Sequence, residues 1–107
     1  MSSKKLKLKV YVSGKISGLP ESEAMDNFIK GKAQLKELFN LRVGEIVTPF
    51  DLPHLHDQKW DSYMREDIIE LMSCDAIFML KDWISSKGAI LEHNIAQRLD
   101  FIIIYQP

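Results

Sequence analysis

The sequence has one cysteine in 107 residues, almost no net charge and no long apolar run. Each shortage closes off a class of protein. Cys74 can form no disulfide within the chain, and a lone thiol fits a reducing cytosol better than a secreted setting, so it reads as a core filler in a cytoplasmic protein. The 14 Lys and Arg stand against 15 Asp and Glu, a formal net charge of -1. That leaves no field to hold a nucleic-acid polymer or an anionic membrane, and a small ligand or a protein partner is expected instead. The longest purely apolar runs, Ala76–Leu80 and Phe101–Tyr105, fall far short of the ~20 residues a membrane helix needs. Lys4, Lys5, Lys7 and Lys9 lead into no apolar segment before Ser13-Gly14, so they read as a solvated strand flank and not as a signal peptide. Repeats, low-complexity stretches and internal linkers are missing as well. A chain of this length is expected to close around one core.

What is present is a regular alternation. Leu8, Val10, Tyr11 and Val12 read as a strand that begins near Leu6 and ends at Ser13-Gly14. From Glu21 to Phe39, Ala24, Phe28, Leu35 and Leu38 fall at helical spacing. Val43 to Thr48 is a second strand, followed by a polar loop from Pro49 through Asp57. Trp60 to Ser73 is again helical through Met64, Ile68, Leu71 and Met72. Ala76–Leu80 reads as a strand buried on both faces. Ser85-Ser86 offers an N-cap for a helix to about Leu99, and Phe101–Tyr105 is a last buried strand. The order βαβαβαβ implies a doubly wound, flavodoxin- or Rossmann-like α/β domain, three layers around a four-stranded parallel sheet of order 2-1-3-4. The second and third helices would then share one face, and the first would cover the other incompletely. A partly bare apolar sheet face implies a partner, and a homo-oligomer is expected.

Ligands in such folds bind beyond the C-terminal ends of the strands. Four segments meet there: Ser13 to Gly18, Thr48 to Trp60, Lys81 to Ser86, and the start of the last helix. Glu92 is the sharpest signal, because it lies within the apolar arc made by Leu91, Ile95, Ala96 and Leu99. Burying an unpaired charge costs several kcal/mol in effective terms, so this carboxylate must be paired, protonated or working. Gly88, one turn earlier on the same face, leaves space into which Glu92 would point. A buried glutamate satisfied by a neighbouring helix or by capping groups is the structural alternative. Asp67 sits at the edge of the second helix's apolar arc, where a solvated carboxylate is common. Two carboxylates converging on one cleft would nevertheless suit glycosidic cleavage, with one as nucleophile and the other as acid.

Gly14-Lys-Ile-Ser-Gly18 matches neither a Walker A loop nor a dinucleotide fingerprint. Its glycines let a ligand approach the backbone, and Lys15 with the N-terminus of the first helix is suited to a phosphate. Ser13, Gly14, Lys15 and Gly18 are therefore candidate substrate-binding residues, and Gly88 is a further candidate through the space it leaves beside Glu92. His54-Leu-His56-Asp57 has the look of a metal site, but without a further ligand cluster it reads as polar loop. Of the two tryptophans, Trp83 is the candidate for stacking on a base and Trp60 is expected to fill the domain rim.

These residues resemble a known family. Tyr11-Val-Ser-Gly14-Lys-Ile-Ser-Gly18, Arg65-Glu-Asp67, Cys74-Asp75-Ala76 and Ser86-Lys-Gly88-Ala-Ile-Leu-Glu92 are similar, in order and spacing over nearly the whole chain, to nucleoside 2-deoxyribosyltransferases and the related deoxynucleoside 5'-monophosphate N-glycosidases. The resemblance implies that Glu92 attacks the anomeric carbon, Asp67 handles the proton at the base, Tyr11 holds the nucleophile's carboxylate, and Ser86 lines the sugar or phosphate site. It requires no metal or organic cofactor. Lys15 stands where the monophosphate hydrolases typically carry a serine. A family segment that follows the last strand and reaches the neighbouring subunit's site has no counterpart before Pro107. The expected function is thus cleavage or transfer at the N-glycosidic bond of a nucleoside or nucleotide. A non-catalytic nucleotide-binding module of the same fold, and a purely structural interaction domain, are the alternatives.

Overall fold

A computed structural model describes residues 7–53 and 59–107 of the chain. Among these residues, strands and helices alternate as β1 (Leu8–Ser13), α1 (Glu21–Phe39), β2 (Val43–Val47), α2 (Trp60–Met72), β3 (Ala76–Met79), α3 (Lys87–Arg98) and β4 (Ile102–Tyr105). Short turns of 3-10 helix lie at Pro49–Asp51 and Trp83–Ser85. The strands pair in parallel in the order β2-β1-β3-β4. This is the doubly wound three-layer fold that the alternation implies. Leu6, expected at the start of the first strand, lies outside the described residues. None of the described helices is long and apolar enough to cross a membrane.

The alternation along β1 and β3 divides the core. On one face Val10, Val12, Val43, Ile46 and Phe78 pack with Phe28 and Leu35 of α1. On the other, Tyr11, Ile77 and Met79 pack with Leu71 of α2 and Ala89 and Ala96 of α3. Cys74 is buried in this second cluster, and burial pushes its thiol up to about 11. β3 is buried along its whole length, as an unbroken apolar run between two covered faces requires. β4 is covered less. Ile103 and Ile104 touch the two clusters, whereas Ile102 is 50% exposed, because the single helix on its face lies over the other strands.

Leu38, Met72 and Leu99, expected on buried helix faces, are exposed. Each sits in or just after the last turn of its helix, where no layer lies against it. The lysine flank also departs from expectation at Lys9. Its main-chain N–H donates to Asp75 Oδ2 at 2.8 Å, and its ammonium pairs with Glu70 at 3.0 Å and donates to Ser73 Oγ at 2.8 Å. The Glu70 contact raises the ammonium's pKa, and the set pins the turn between α2 and β3 to β1.

Local chemistry sets the strand ends that matter for function. After β2, Thr48 Oγ1 accepts from the Phe50 N–H at 3.2 Å while Asp51 Oδ2 accepts from the Thr48 N–H at 2.8 Å. This reciprocal cap seats Phe50 edge-on against Phe28, with ring centroids 5.3 Å apart. Ser86 caps α3 as expected, its Oγ accepting from the Ala89 N–H at 3.1 Å, a contact that typically contributes about 1 kcal/mol. After β1, the chain passes Leu80 so closely that a Cβ on Gly14 would lie 2.6 Å from Leu80 Cδ1 and 2.9 Å from its Cβ. Gly14→Ala is therefore expected to destabilise the fold by about 1–3 kcal/mol in urea titrations. An unchanged midpoint would show that the loop opens freely.

Candidate active site

The C-terminal ends of the strands converge on a cleft of about 610 Å³, where ligands bind in this fold class. Its walls come from the segments after β1 and β2, the first two turns of α2 and the start of α3.

Glu92 is placed there by the helix that carries it. α3 buries Ala89, Glu92 and Ala96, positions i, i+3 and i+7 of one face. The small alanines bring the helix close to the sheet and carry the carboxylate down onto β1. Glu92 is 3% exposed. Tyr11 Oη donates to its Oε2 at 2.8 Å and Ser13 Oγ donates to its Oε1 at 2.6 Å. Burial is the largest influence on this carboxyl group and pushes it from 4.5 up to about 7. The bonds from Ser13 and Tyr11 pull it down, and the charge of Asp67 pushes it up again. Burial, with the neighbouring Glu92 charge, also holds the Tyr11 phenol well above its ordinary range, so it remains a donor.

Asp67 is brought to the same cleft by α2, which buries Met64, Asp67 and Leu71. The carboxylate is 6% exposed and stands at the centre of the helix's inner arc, not at its edge. Ile68, one of the apolar residues at helical spacing, is only partly buried. α2 is thus turned further toward its carboxylate than the spread of its apolar residues suggests.

Gly14, Lys15, Gly18, Ser86 and Gly88 all line the cleft. Gly18 has a φ of +91°, a conformation glycine adopts without steric cost. The Lys15 N–H donates to Asp82 Oδ1 at 3.2 Å, tying the loop after β1 to the one after β3. Three expectations are corrected. Glu92 does not fill the space left by Gly88: a Cβ there would lie 3.0 Å from Met64 Sδ and 3.8 Å from Trp60 Nε1, so this glycine makes room for α2. Ser13 is not among the residues lining the cleft; it is fully buried and gives its hydroxyl to Glu92. Trp83 is likewise outside the lining. The 3-10 turn before α3 directs it along that helix, where it stacks on His93 at 4.2 Å between centroids, and His93 Nε2 hydrogen-bonds Tyr105 Oη at 2.7 Å.

The cleft is lined instead by Trp60, whose ring lies 4.1 Å beneath the Lys87 ammonium. Its signal was in the sequence, since Trp60, Met64, Asp67 and Leu71 follow i, i+4, i+7 and i+11 spacing. Lys15 and Lys87 are the cationic side chains of the lining, and Glu21 is also there. Glu21 and Glu23 occupy the first turn of α1, so that helix end already faces carboxylates, which weakens its suitability for a phosphate. His54, His56 and Asp57 lie outside the described residues. Among the described residues, no three His, Cys, Asp or Glu side chains are grouped to hold a metal.

The family model described as a domain of unknown function (DUF4406) matches residues 8–105, a span that includes β1 through β4 and both buried carboxylates. The chain belongs to this family. No curated protein matches it.

A carboxyl group held higher in the folded than in the unfolded chain makes stability pH-dependent. The fold has its full stability below the unfolded value of 4.5 and loses it as pH rises toward about 7, a loss on the order of 3 kcal/mol for a shift of this size. Glu92→Gln removes that titration. Its stability relative to the natural chain is expected to rise across pH 4.5 to 7 in denaturant titrations, and parallel curves would contradict the buried titration.

Proposed function

We propose that this chain cleaves or transfers at the N-glycosidic bond of a nucleoside or nucleotide, in the manner implied by its resemblance to nucleoside 2-deoxyribosyltransferases and deoxynucleoside 5'-monophosphate N-glycosidases. The observation that supports this most is a buried carboxylate at the wall of an open cleft, clamped on both oxygens by hydroxyls, with a second buried carboxylate on the facing helix. Packing gives no reason for Glu92 between two alanines, whereas a nucleophile must be ionisable, aimed and shielded.

In this reading a Glu92 oxygen attacks C1' of the sugar. The bond from C1' to the base nitrogen breaks, and its electron pair leaves with the base, which takes a proton from Asp67. The oxocarbenium-like transition state collapses to a glycosyl ester on Glu92. Water attacks C1' next, giving its proton to Asp67, and Glu92 departs as the carboxylate. A second base in place of water gives transfer. Trp60 offers an aromatic face for the base, and Ser86, which lines the cleft, is assigned to the sugar or its phosphate by the same resemblance. The buried thiol of Cys74 supports a cytoplasmic setting. No cofactor enters the scheme.

A chromatographic assay for free base, over ribo- and deoxynucleosides and their 5'-monophosphates with and without a second base, tests the reading. Release or exchange is expected, falling by more than about 10³-fold in Glu92→Ala and by about 10²–10⁴-fold in Asp67→Asn. Saturable ligand binding with no turnover would instead establish the binding module. The half-exposed Ile102 on the incompletely covered sheet face supports a homo-oligomer. Light scattering is expected to give a multiple of 12.4 kDa, and a monomer would overturn that part.

A further inference from the structure

We infer that Ser13 is a positioning residue, which together with Tyr11 clamps Glu92 in its anionic form and fixes the plane of its carboxylate against the floor of the cleft. The inference rests on Glu92 being the working carboxylate of the proposed reaction. It starts from a residue type out of place: a serine, fully buried in a central strand beside Val12 and Met79. A hydroxyl in such surroundings is costly unless it is bonded. Ser13 Oγ donates to Glu92 Oε1 at 2.6 Å, within the 2.5–2.7 Å that hydroxyls typically keep to an ionised oxygen.

Geometry gives the clamp its effect. Tyr11 and Ser13 are two residues apart on β1, so they face the same side of the sheet, and each takes one carboxylate oxygen. One donor would leave the carboxylate free to rotate about it; two fix its plane. The remaining lone pairs stay available on the cleft side, where Glu92 contributes to the wall. Among the described residues, the other ionisable groups facing this space are Asp67 and Tyr63 on α2, Glu21 on α1, Lys15 on the loop after β1, and Lys87 on α3. Ser13 has no charge of its own, and so acts on Glu92 through a bond made to its ionised form.

The test reads Glu92 directly. In protein labelled with ¹³C at the glutamate carboxyl, with Glu92→Gln to assign the signal, Ser13→Ala is expected to move the Glu92 titration upward by about one to two pH units. Ser13→Thr, which keeps a hydroxyl, should titrate close to the natural chain, and it serves as the probe if Ser13→Ala fails to fold: a titration in Ser13→Thr displaced upward to the same extent would then overturn the inference. An unchanged midpoint in a folded Ser13→Ala protein, even one with lowered thermal stability, would show a merely structural serine. Where base release is measurable, the ascending limb of its pH profile should shift upward with the titration. A shifted titration in a protein that turns over no nucleoside or nucleotide would keep the clamp and sink the nucleophile.

Discussion

Keeping the Glu92 carboxylate out of water is the constraint around which the cleft is organised. Removing such a group from solvent costs several kcal/mol in effective terms. Each hydrogen bond to a charged group returns about 1.5–3 kcal/mol, so Tyr11 and Ser13 together offset much of that cost. They do not offset all of it, because the carboxyl group is still held near 7. The result is a group that can be protonated or ionised near neutrality while its orientation stays fixed. The two donors favour the ionised form and fix its orientation, which suits a carboxylate that attacks and departs as the anion better than it suits a purely structural glutamate.

The two helices on that side of the sheet reach the same arrangement by different means. α3 flanks its carboxylate with Ala89 and Ala96, which bring it close to β1. α2 flanks Asp67 with the bulkier Met64 and Leu71, and Met64 reaches the backbone of α3 at Gly88, which has no side chain to obstruct it. Small residues on one helix and large ones on the other place both carboxylates on one cleft. Trp60, a turn before Met64, completes the wall, and Lys87 lies across its ring.

Most of the architecture was legible in the sequence because each element carried its own period. The unbroken apolar run of β3 announced a central strand, and the alternation in β1 placed Val10 and Val12 on one face and Tyr11 on the other. Ser13 belongs to that same alternation. That alternation puts it on the face of Tyr11, from which it reaches Glu92, whereas its place beside the glycine loop suggests ligand contact. The helix faces were harder to read. Leu99 and Met72 are apolar at the right spacing, yet they are exposed at helix ends, and Met72 drew the expected arc of α2 away from Asp67. The role of Trp83 turned on loop geometry: one 3-10 turn sends it outward to His93, and no spacing rule encodes that turn.

The central claim is that a clamped, buried Glu92 forms a covalent bond to the sugar. Mass spectrometry of protein quenched with acid during turnover, followed by peptide mapping, tests it most directly. A mass increment equal to the glycosyl group on the peptide containing Glu92, lost in Glu92→Gln, is the expected result. Base release during turnover with no adduct on that peptide, or with the adduct on another side chain, would contradict it.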